Sequence, residues 1–507
     1  MTVVMTPDNR PFFAATYIPK QGRFGQPGLL ELLAEISRLW LHDRDRITNS
    51  ARQVTDNMQR LHQNLPETRL DASTLQAAFQ SLGQRYDSEH GGFGQAPKFP
   101  APHNLLFLLR YWQRSGNPEA LNMVDTTLKA MRQGGIFDHL GYGFHRYSTD
   151  RSWLVPHFEK MLYDQAMLIM ALAEAYEHTR DPLYAQVIEE TAGYVFHDMT
   201  DASGAFYSAE DADSEGVEGK FYVWTEQEID KLLSPEEARL AKKVFGLSPD
   251  GNFKDEATGR RTGANILHLP LPLDQAAESL ALGPEKLSSQ LETVRSRLLT
   301  ARNQRIRPLL DDKVLTDWNG LMIAALAQAG RILENDEYTQ AAKRAAGFIL
   351  ENMFRDGRLL HRYRDGQAAI TGMLDDYAFF IQGLIELHTA TAERQYLESA
   401  LDLTHACLHH FWDPHHGGFY LTPDDGEELL TRPKEVTDGA IPSGNSVMLS
   451  NLLHLGGLTD NAWLTQKANE LITAFSGTIA QIPAGCTFFL CGLDMALRTN
   501  EQEGERS

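Results

Sequence analysis

The stretch DQAMLIMALAEA, at residues 164–175, is apolar around the whole circumference of a helix. A helix of this kind is buried on every side by other elements. Two similar stretches follow, NGLMIAALAQAG at 319–330 and GNSVMLSNLLHLGG at 444–457. Each alternates with a helix that is apolar on one face only, so the pattern predicts an inner layer of helices wrapped by an outer layer.

Working outward from these stretches, the helical pattern continues along most of the chain after about residue 71. It predicts twelve helices, at 71–86, 101–116, 119–132, 156–179, 181–198, 318–334, 335–354, 372–391, 393–411, 443–457, 461–478 and 485–498. A weak repeat supports this count, because a Gly-aromatic turn recurs after several helices, in RYDSEHGGFG (85–94), FHDMTDASGAFYS (196–208), MFRDGRLLHRY (353–363) and FWDPHHGGFYLT (411–422). Six pairs of helices predict a mainly α fold, an (α/α)6 toroid, with an irregular helical bundle or solenoid as the alternative.

The first 65 residues differ from the rest. They hold two β-rich runs and a helix, which is too little to form a core alone. We therefore expect residues 1–65 to be the C-terminal part of a truncated α/β domain. Residues 66–500 form the barrel, with an insertion at about 225–315, and 501–507 form a tail.

Composition excludes several classes of function. The net charge of −21 disfavours nucleic acid as a partner, and the chain has no apolar run long enough for a membrane. Its three cysteines match no metal or redox spacing, which favours a reducing, cytoplasmic location. Motifs for nucleotide, nicotinamide, serine-hydrolase and zincin chemistry are absent. We expect neither a metal nor a cofactor.

Polar residues cluster where the predicted inner helices begin. They are Asn104, Tyr163 to Gln165, Asp317 to Asn319, Asp375 to Tyr377, and Ser443 to Asn445. In a toroid these helix starts converge on one mouth. Each residue alone could be a helix cap. Together with tryptophan rings they favour a site for a polyhydroxylated ligand, a sugar.

The stretch GYGFHRYSTDRSWLVPHFEKMLYDQ (141–165) has the most reactive side chains. If a helix begins at Pro156, His157, Lys160 and Asp164 share one face of it. A histidine near a carboxylate at a helix start is a candidate for acid/base catalysis. A second cluster, SAEDADSEGVEGKFYVWT (208–225), adds acidic residues that could pair as glycosidic carboxylates or lie in a solvated loop.

Several long motifs carry a resemblance to a known family. They include TPDNRPFFAATYIPK (6–20), GGFGQAPKFP (91–100), DDKVLTDWNGLMI (311–323) and IPSGNS (441–446). The chain resembles thioredoxin-domain-containing proteins related to spermatogenesis-associated protein 20. The resemblance implies a thioredoxin-like segment followed by a six-hairpin barrel, similar to those of N-acylglucosamine 2-epimerases and several glycoside hydrolases.

Two departures from the family are visible. The family's cysteine motif lies upstream of TPDNRPFF, at a point that falls before Met1, and no cysteine of this chain precedes Cys407. Relatives continue with a short additional tail. We therefore expect a truncated or internal start and no redox activity, because disulfide exchange needs a thiolate.

The predicted function is acid/base chemistry on a sugar or sugar derivative. An epimerase or isomerase would use His145 and His157 as proton relays and Arg146 to stabilise an oxyanion, whereas a glycosidase would use two carboxylates. The candidate catalytic residues are His145, Arg146, His157, Glu159, Asp211, Asp213, Asp375 and Asp376. The candidate substrate-binding residues are Lys98, Tyr147, Trp153, Lys160, Asp164, Trp224, Trp318, Asn319, Tyr377, Ser443 and Asn445.

Two other functions stay open from the sequence. One is a non-catalytic sugar-binding or scaffold protein, and the other is the remnant of a thioredoxin-like redox protein. A homo-oligomer or a partner protein would associate through the N-terminal segment, where unpaired strand edges are expected.

Overall fold

The computed structural model describes residues 2–16, 18–22, 27–61, 65–254 and 259–506. Its helices are α1 (Leu29–His42), α2 (Arg44–Leu61), α3 (Ala72–Arg85), α4 (Pro102–Ser115), α5 (Pro118–Gln133), α6 (Leu162–Thr179), α7 (Pro182–Asp198), α8 (Glu226–Leu232), α9 (Pro235–Val244), α10 (Leu273–Ser279), α11 (Pro284–Arg302), α12 (Thr316–Ile332), α13 (Asp336–Asn352), α14 (Leu374–Thr391), α15 (Arg394–His410), α16 (Gly444–Thr459), α17 (Ala462–Gln481) and α18 (Thr487–Arg506).

The strands are short and pair antiparallel. They are β1 (Thr2–Met5), β2 (Pro11–Ala15), β3 (Tyr147–Ser148), β4 (Pro156–His157), β5 (Lys160–Met161), β6 (Ala209–Glu210), β7 (Asp213–Ser214), β8 (Val217–Glu218), β9 (Leu310–Asp311), β10 (Val314–Leu315), β11 (Phe354–Arg355), β12 (Arg358–Arg364) and β13 (Gln367–Thr371). They form the sheets β1–β2, β3–β4, β5–β6–β9, β7–β8 and β10–β12–β11, with β13 also paired to β12.

Six helices form a closed inner ring. In order around the ring they are α4, α6, α12, α14, α16 and α18, and α18 packs against α4 to close it. The outer helices α3, α5, α7, α13, α15 and α17 cover this ring. The predicted (α/α)6 toroid is therefore confirmed.

The inner helices approach one another closely because small residues lie where their backbones meet. A Cβ added to Gly320 of α12 would lie 2.5 Å from the backbone of Phe379 in α14. Gly383 of α14 faces Gly320 in the same way, with the carbonyl oxygen of Gly320 2.9 Å from the position of its missing Cβ. Any larger side chain would push the two helices apart.

Three Gly-aromatic turns, around Asp87, Asp138 and Asp413, share one set of polar contacts. In the first, Asp87 accepts hydrogen bonds from the backbone N–H groups of Glu89 and His90, and Lys98 Nζ donates to Asp87 Oδ2 at 2.7 Å and to the carbonyl of Gly91 at 2.8 Å. Two further turns repeat this arrangement, through Asp138 with Lys160 and through Asp413 with Lys434. Lys98 and Lys160 are thus buried parts of the turns rather than of a binding surface.

Amides on the inner helices hold these turns from the other side. Asn319 accepts from the N–H of Phe206 at 2.8 Å and donates to the carbonyl of Phe206 at 2.9 Å. Gln165 with Phe144, and Asn445 with Phe419, form the same pair of bonds. The polar groups of Asn319 and Asn445 are fully buried and already bonded, so a ligand would have to break these bonds to use them.

Replacing Asn319 with alanine is expected to lower the free energy of unfolding by about 2–4 kcal/mol, because it leaves buried backbone groups of Phe206 without partners. Urea denaturation measures the change. Asn352→Ala is the matched control, since Asn352 is exposed and makes one helical side-chain bond, to the carbonyl of Phe348. If both variants lose the same free energy of unfolding, the hydrogen bonds between Asn319 and Phe206 do not stabilise the fold.

The stretch before α6 differs from the prediction. A helix at 156–179 is wrong in its first turns, because α6 begins at Leu162. Residues 156–157 pair instead with 147–148, and 160–161 pair with 209–210. His157, Lys160 and Asp164 therefore do not share a helical face. These strand pairings join segments distant in sequence, which local periodicity does not reveal.

The segment between α7 and α12 has its own apolar core. Helices α8, α9, α10 and α11 pack around residues such as Trp224, Leu240 and Leu298. A buried ion pair fastens this unit to the barrel, because Arg302 Nη1 donates to Asp138 Oδ1 at 2.7 Å.

The N-terminal segment consists of the β1–β2 hairpin followed by α1 and α2. Helix α1 buries none of its side chains. Among the described residues, no helix is long and apolar enough to cross a bilayer.

Candidate active site at the barrel mouth

The inner helices all begin at one end of the ring, and a cavity of about 380 Å³ opens there. It lies between the starts of α4 and α6 and the loops that precede α16 and α18. The side chains that give it chemical character are Arg85, Phe99, His103, Arg146, Tyr163, Asp164 and Asp438. Free N–H groups at the helix starts add partial positive charge to the same space.

Asp164 lies in the first turn of α6 and lines this cavity. The residue is only 5% exposed, and its Oδ2 has no hydrogen-bond partner among the described residues. Burial raises the pKa of Asp164 well above its usual range, an effect that nearby Arg146 partly offsets. Burial thus favours the protonated form of Asp164 over the carboxylate.

Next to the cavity is a carboxylate with the opposite character. Arg146 Nη1 donates to Glu159 Oε2 at 2.9 Å, and His157 Nε2 lies 3.3 Å from the same oxygen. The hydrogen bond from His157, together with Arg146, lowers the pKa of Glu159. In return Glu159 and Glu218 raise the pKa of His157. Pairing of Tyr147 with His157 across β3 and β4 sets this geometry.

His103, at the start of α4, is a cavity residue that sequence analysis missed. It is 7% exposed, and its Nδ1 has no hydrogen-bond partner among the described residues. Burial lowers its pKa to about 4, so the imidazole is neutral at physiological pH. The sequence offered one signal, since Pro102 and Asn104 mark the same helix start.

Asp438 was also missed, because it lies in a loop rather than at a helix start. Its carboxylate accepts from the N–H groups of Ser443 and Phe488, at 3.2 and 2.8 Å. Burial raises its pKa to about 7. Asp438 thus ties the start of α16 to the start of α18 at the cavity wall.

A second polar cluster lies beside the cavity. His361 Nδ1 is 2.9 Å from Asp376 Oδ1. The backbone N–H of Asp317 donates to the same oxygen at 3.1 Å. The hydrogen bond to Asp376 raises the pKa of His361 to about 9, and burial followed by Asp376 raises that of Asp317 well above its usual range. Asp375, adjacent in α14, has a pKa raised to about 7 by burial and by Asp376.

An aromatic contact connects the two clusters. The rings of Tyr163 and Trp318 meet edge to face, with centroids 4.8 Å apart. Tyr163 lines the cavity and Trp318 directly follows Asp317. At the rim, Tyr147 packs between Phe99 and His157, with ring centroids 4.9 and 5.0 Å away. Aromatic side chains thus lie both in the cavity, at Phe99 and Tyr163, and beside it.

Within the described ranges, two sets of side chains could hold a metal ion. In the first, Asp317, His361 and Asp376 offer ligand atoms within 4.8 Å of one another. The second set, His410, Asp424 and Asp425, has the same spacing but lies nearer the surface.

The remaining candidates lie elsewhere. His145 is buried, its Nδ1 donates to the carbonyl of Phe158 at 2.9 Å, and burial lowers its pKa to about 3. Trp153 and Trp224 are fully buried, the first donating to the carbonyl of His90 and the second packed under Arg305. These side chains do not line the cavity.

Four further candidates serve the backbone or face solvent. The hydroxyl of buried Tyr377 accepts from the N–H of Leu359, and Ser443 is the N-cap of α16. Asp211 and Asp213 are exposed, and the N–H of Asp213 donates to Asp211. Of the predicted set, Arg146 and Asp164 line the cavity, Glu159 and His157 adjoin it through Arg146, and Trp318, Asp375 and Asp376 lie in or beside the second cluster.

A closed double ring of helices with a polar cavity at one mouth defines an (α/α)6 barrel of the six-hairpin type. A D-mannose isomerase of known structure shares this fold at 13% identity and a TM-score of 0.51, over 80% of this chain and 85% of that one.

The chain belongs to the family of spermatogenesis-associated protein 20, as its motifs indicated. The human protein of that name is 36% identical over 99% of this chain and 68% of its own length. An uncharacterised protein of Caenorhabditis elegans is 31% identical over 95% of this chain and 70% of its own length. Residues 1–59 match the family model Thioredox_DsbH, described as a protein of unknown function, DUF255.

Proposed function

We propose that the chain is an enzyme that acts on a sugar or sugar derivative by acid/base chemistry at the barrel mouth. The proposal rests on Asp164, which lines the cavity and whose buried Oδ2 has no hydrogen-bond partner in the described part of the chain. Asp164 is the proton donor. Glu159, held ionised by His157 and Arg146, is the second carboxylate. Two carboxyl groups whose pKa values are driven apart are the arrangement that such catalysis requires.

The pair favours cleavage of a glycosidic bond over epimerisation. A glycosidase needs one protonated and one ionised carboxyl group. The epimerase hypothesis relied on His145 and His157 as a proton relay, and burial removes His145 from the cavity. The rings of Phe99 and Tyr147 at the rim would stack on a sugar face. The D-mannose isomerase that shares this fold supports a sugar as the ligand.

Thiol chemistry has less support. Cys407, Cys486 and Cys491 are free and buried, and burial raises the pKa of each. A thiol of this kind does not form the thiolate that disulfide exchange needs.

The test combines turnover with binding. Purified protein is incubated with a panel of oligosaccharides and aryl glycosides, and with free aldoses followed by NMR for epimerisation. Calorimetry measures binding of the same compounds. Hydrolysis of at least one glycoside is expected. Binding without turnover would instead indicate a sugar-binding protein, and neither binding nor turnover would contradict the proposal.

Activity is expected to depend on pH through both carboxyl groups. It rises as Glu159 ionises, below its ordinary value of 4.5, and falls as Asp164 ionises, well above its ordinary value of 3.8. Because Arg146 lowers the pKa of both groups, Arg146→Gln is expected to move both limbs of the profile of kcat/KM to higher pH. Limbs that stay in place would show that these carboxyl groups do not control the reaction.

A further inference from the structure

We propose that Asp317, His361 and Asp376 bind a divalent transition-metal ion such as Zn²⁺. The three side chains come from three separate elements, the first turn of α12, the central part of β12 and the first turn of α14. Their ligand atoms lie within 4.8 Å of one another, close enough for one ion to reach all three after small side-chain movements.

The carboxylate of Asp317 is the independent sign of a missing ligand. The residue is 8% exposed, and within the described ranges its side chain accepts one hydrogen bond, from the N–H of Trp318 at 2.8 Å. Asp376 and His361 place ligand atoms within 4.8 Å of this carboxylate. A buried carboxylate normally has more partners than this.

Charge balance points the same way. The carboxylates of Asp317 and Asp376 lie against each other, and the imidazole of His361 lies against both. The imidazole of His361 supplies at most one positive charge. A divalent ion between Asp317 and Asp376 would neutralise both carboxylates at once.

The ligand set selects the kind of metal. Imidazole nitrogen with two carboxylate oxygens suits zinc and its first-row neighbours, whereas calcium and magnesium prefer oxygen alone. Asp376 is already oriented, because the backbone N–H groups of Asp317 and Met373 donate to its two oxygens at 3.1 and 2.7 Å. Fixed outer partners of this type are usual around metal ligands. The metal-free alternative is an ion pair of protonated His361 with Asp376.

Calorimetry on the metal-stripped full chain tests the site. Zn²⁺ is expected to bind at one site, and bound Co²⁺ to show visible absorption bands. Asp317→Asn and His361→Gln should each weaken Zn²⁺ binding by at least about tenfold, and Ca²⁺ should bind more weakly than Zn²⁺. Asp424→Asn, in the exposed cluster with His410 and Asp425, is the matched control and should leave this site intact.

Thermal unfolding checks that the variants are folded. If Asp317→Asn does not fold, His361→Gln is used as the test variant. The proposal is overturned if wild-type protein takes up no Zn²⁺, if both site variants bind it as tightly as wild type, or if only Asp424→Asn loses it. Binding of Ca²⁺ as tight as that of Zn²⁺ would also overturn the assignment. The readout is metal binding, so it does not depend on whether the barrel mouth turns over a sugar.

Discussion

Replacing Asp164 with asparagine is expected to lower kcat/KM by about 10²- to 10⁴-fold, the usual contribution of a positioned proton donor. Asparagine keeps the shape of the side chain but cannot give up a proton at neutral pH. The residual activity should no longer fall at alkaline pH, because that limb of the pH profile reports ionisation of Asp164. The assay is initial-rate hydrolysis of the best glycoside from the substrate panel.

The loss should be confined to chemistry. Among the described residues the buried Oδ2 of Asp164 has no hydrogen-bond partner, which costs stability, so asparagine should leave the midpoint of thermal unfolding unchanged or higher. Asp460→Asn is the matched control, since Asp460 is exposed at the opposite, C-terminal end of an inner helix. Equal activity in the two variants would exclude Asp164 as the proton donor.

Replacing Arg302 with leucine is expected to lower the free energy of unfolding by about 3–5 kcal/mol, the usual cost of removing one partner of a buried ion pair. Arg302 and Lys160 hold the pKa of Asp138 well below its usual range although burial opposes this. Without Arg302, the buried carboxylate of Asp138 keeps Lys160 as its ion-pair partner. Urea denaturation measures the loss, and proteolysis should then cut first within α8 to α11, the unit that Arg302 fastens.

The control for this change is on the same helix. Arg297 of α11 is half-exposed and pairs with Glu237 at 2.6 Å. Arg297→Ala should change the free energy of unfolding by less than about 1 kcal/mol, because solvent screens exposed pairs. Similar losses in the two variants would mean that the pair of Arg302 with Asp138 does not anchor the unit.

The sequence was sufficient for the barrel because its signals are local and repeated. Stretches such as 164–175 are apolar all round, and only an inner ring explains so many of them. The small residues at positions such as Gly320 and Gly383 agree with the close helix approach that the structure has. The strands before α6 could not be predicted in this way, because they depend on pairing with 209–210 and 147–148.

The candidate site was harder to predict because residue type does not reveal a side chain's partner. Asn319 and Asp164 both lie in the first turn of an inner helix. Asn319 bonds to the backbone of Phe206, whereas Oδ2 of Asp164 has no partner in the part of the chain that the structure describes. His361 was missed because it lies on a hairpin 44 positions after Asp317 in the sequence, and only the fold brings the two residues together.

A crystal structure of the chain soaked with a monosaccharide or a short oligosaccharide tests the central claim most directly. Density for the sugar is expected in the mouth cavity, with a hydroxyl group or ring oxygen within hydrogen-bond distance of Asp164 Oδ2 and His103 Nδ1. Sugar bound instead in the separate cavity between α17 and the turn around Trp412, with the mouth empty, would contradict it.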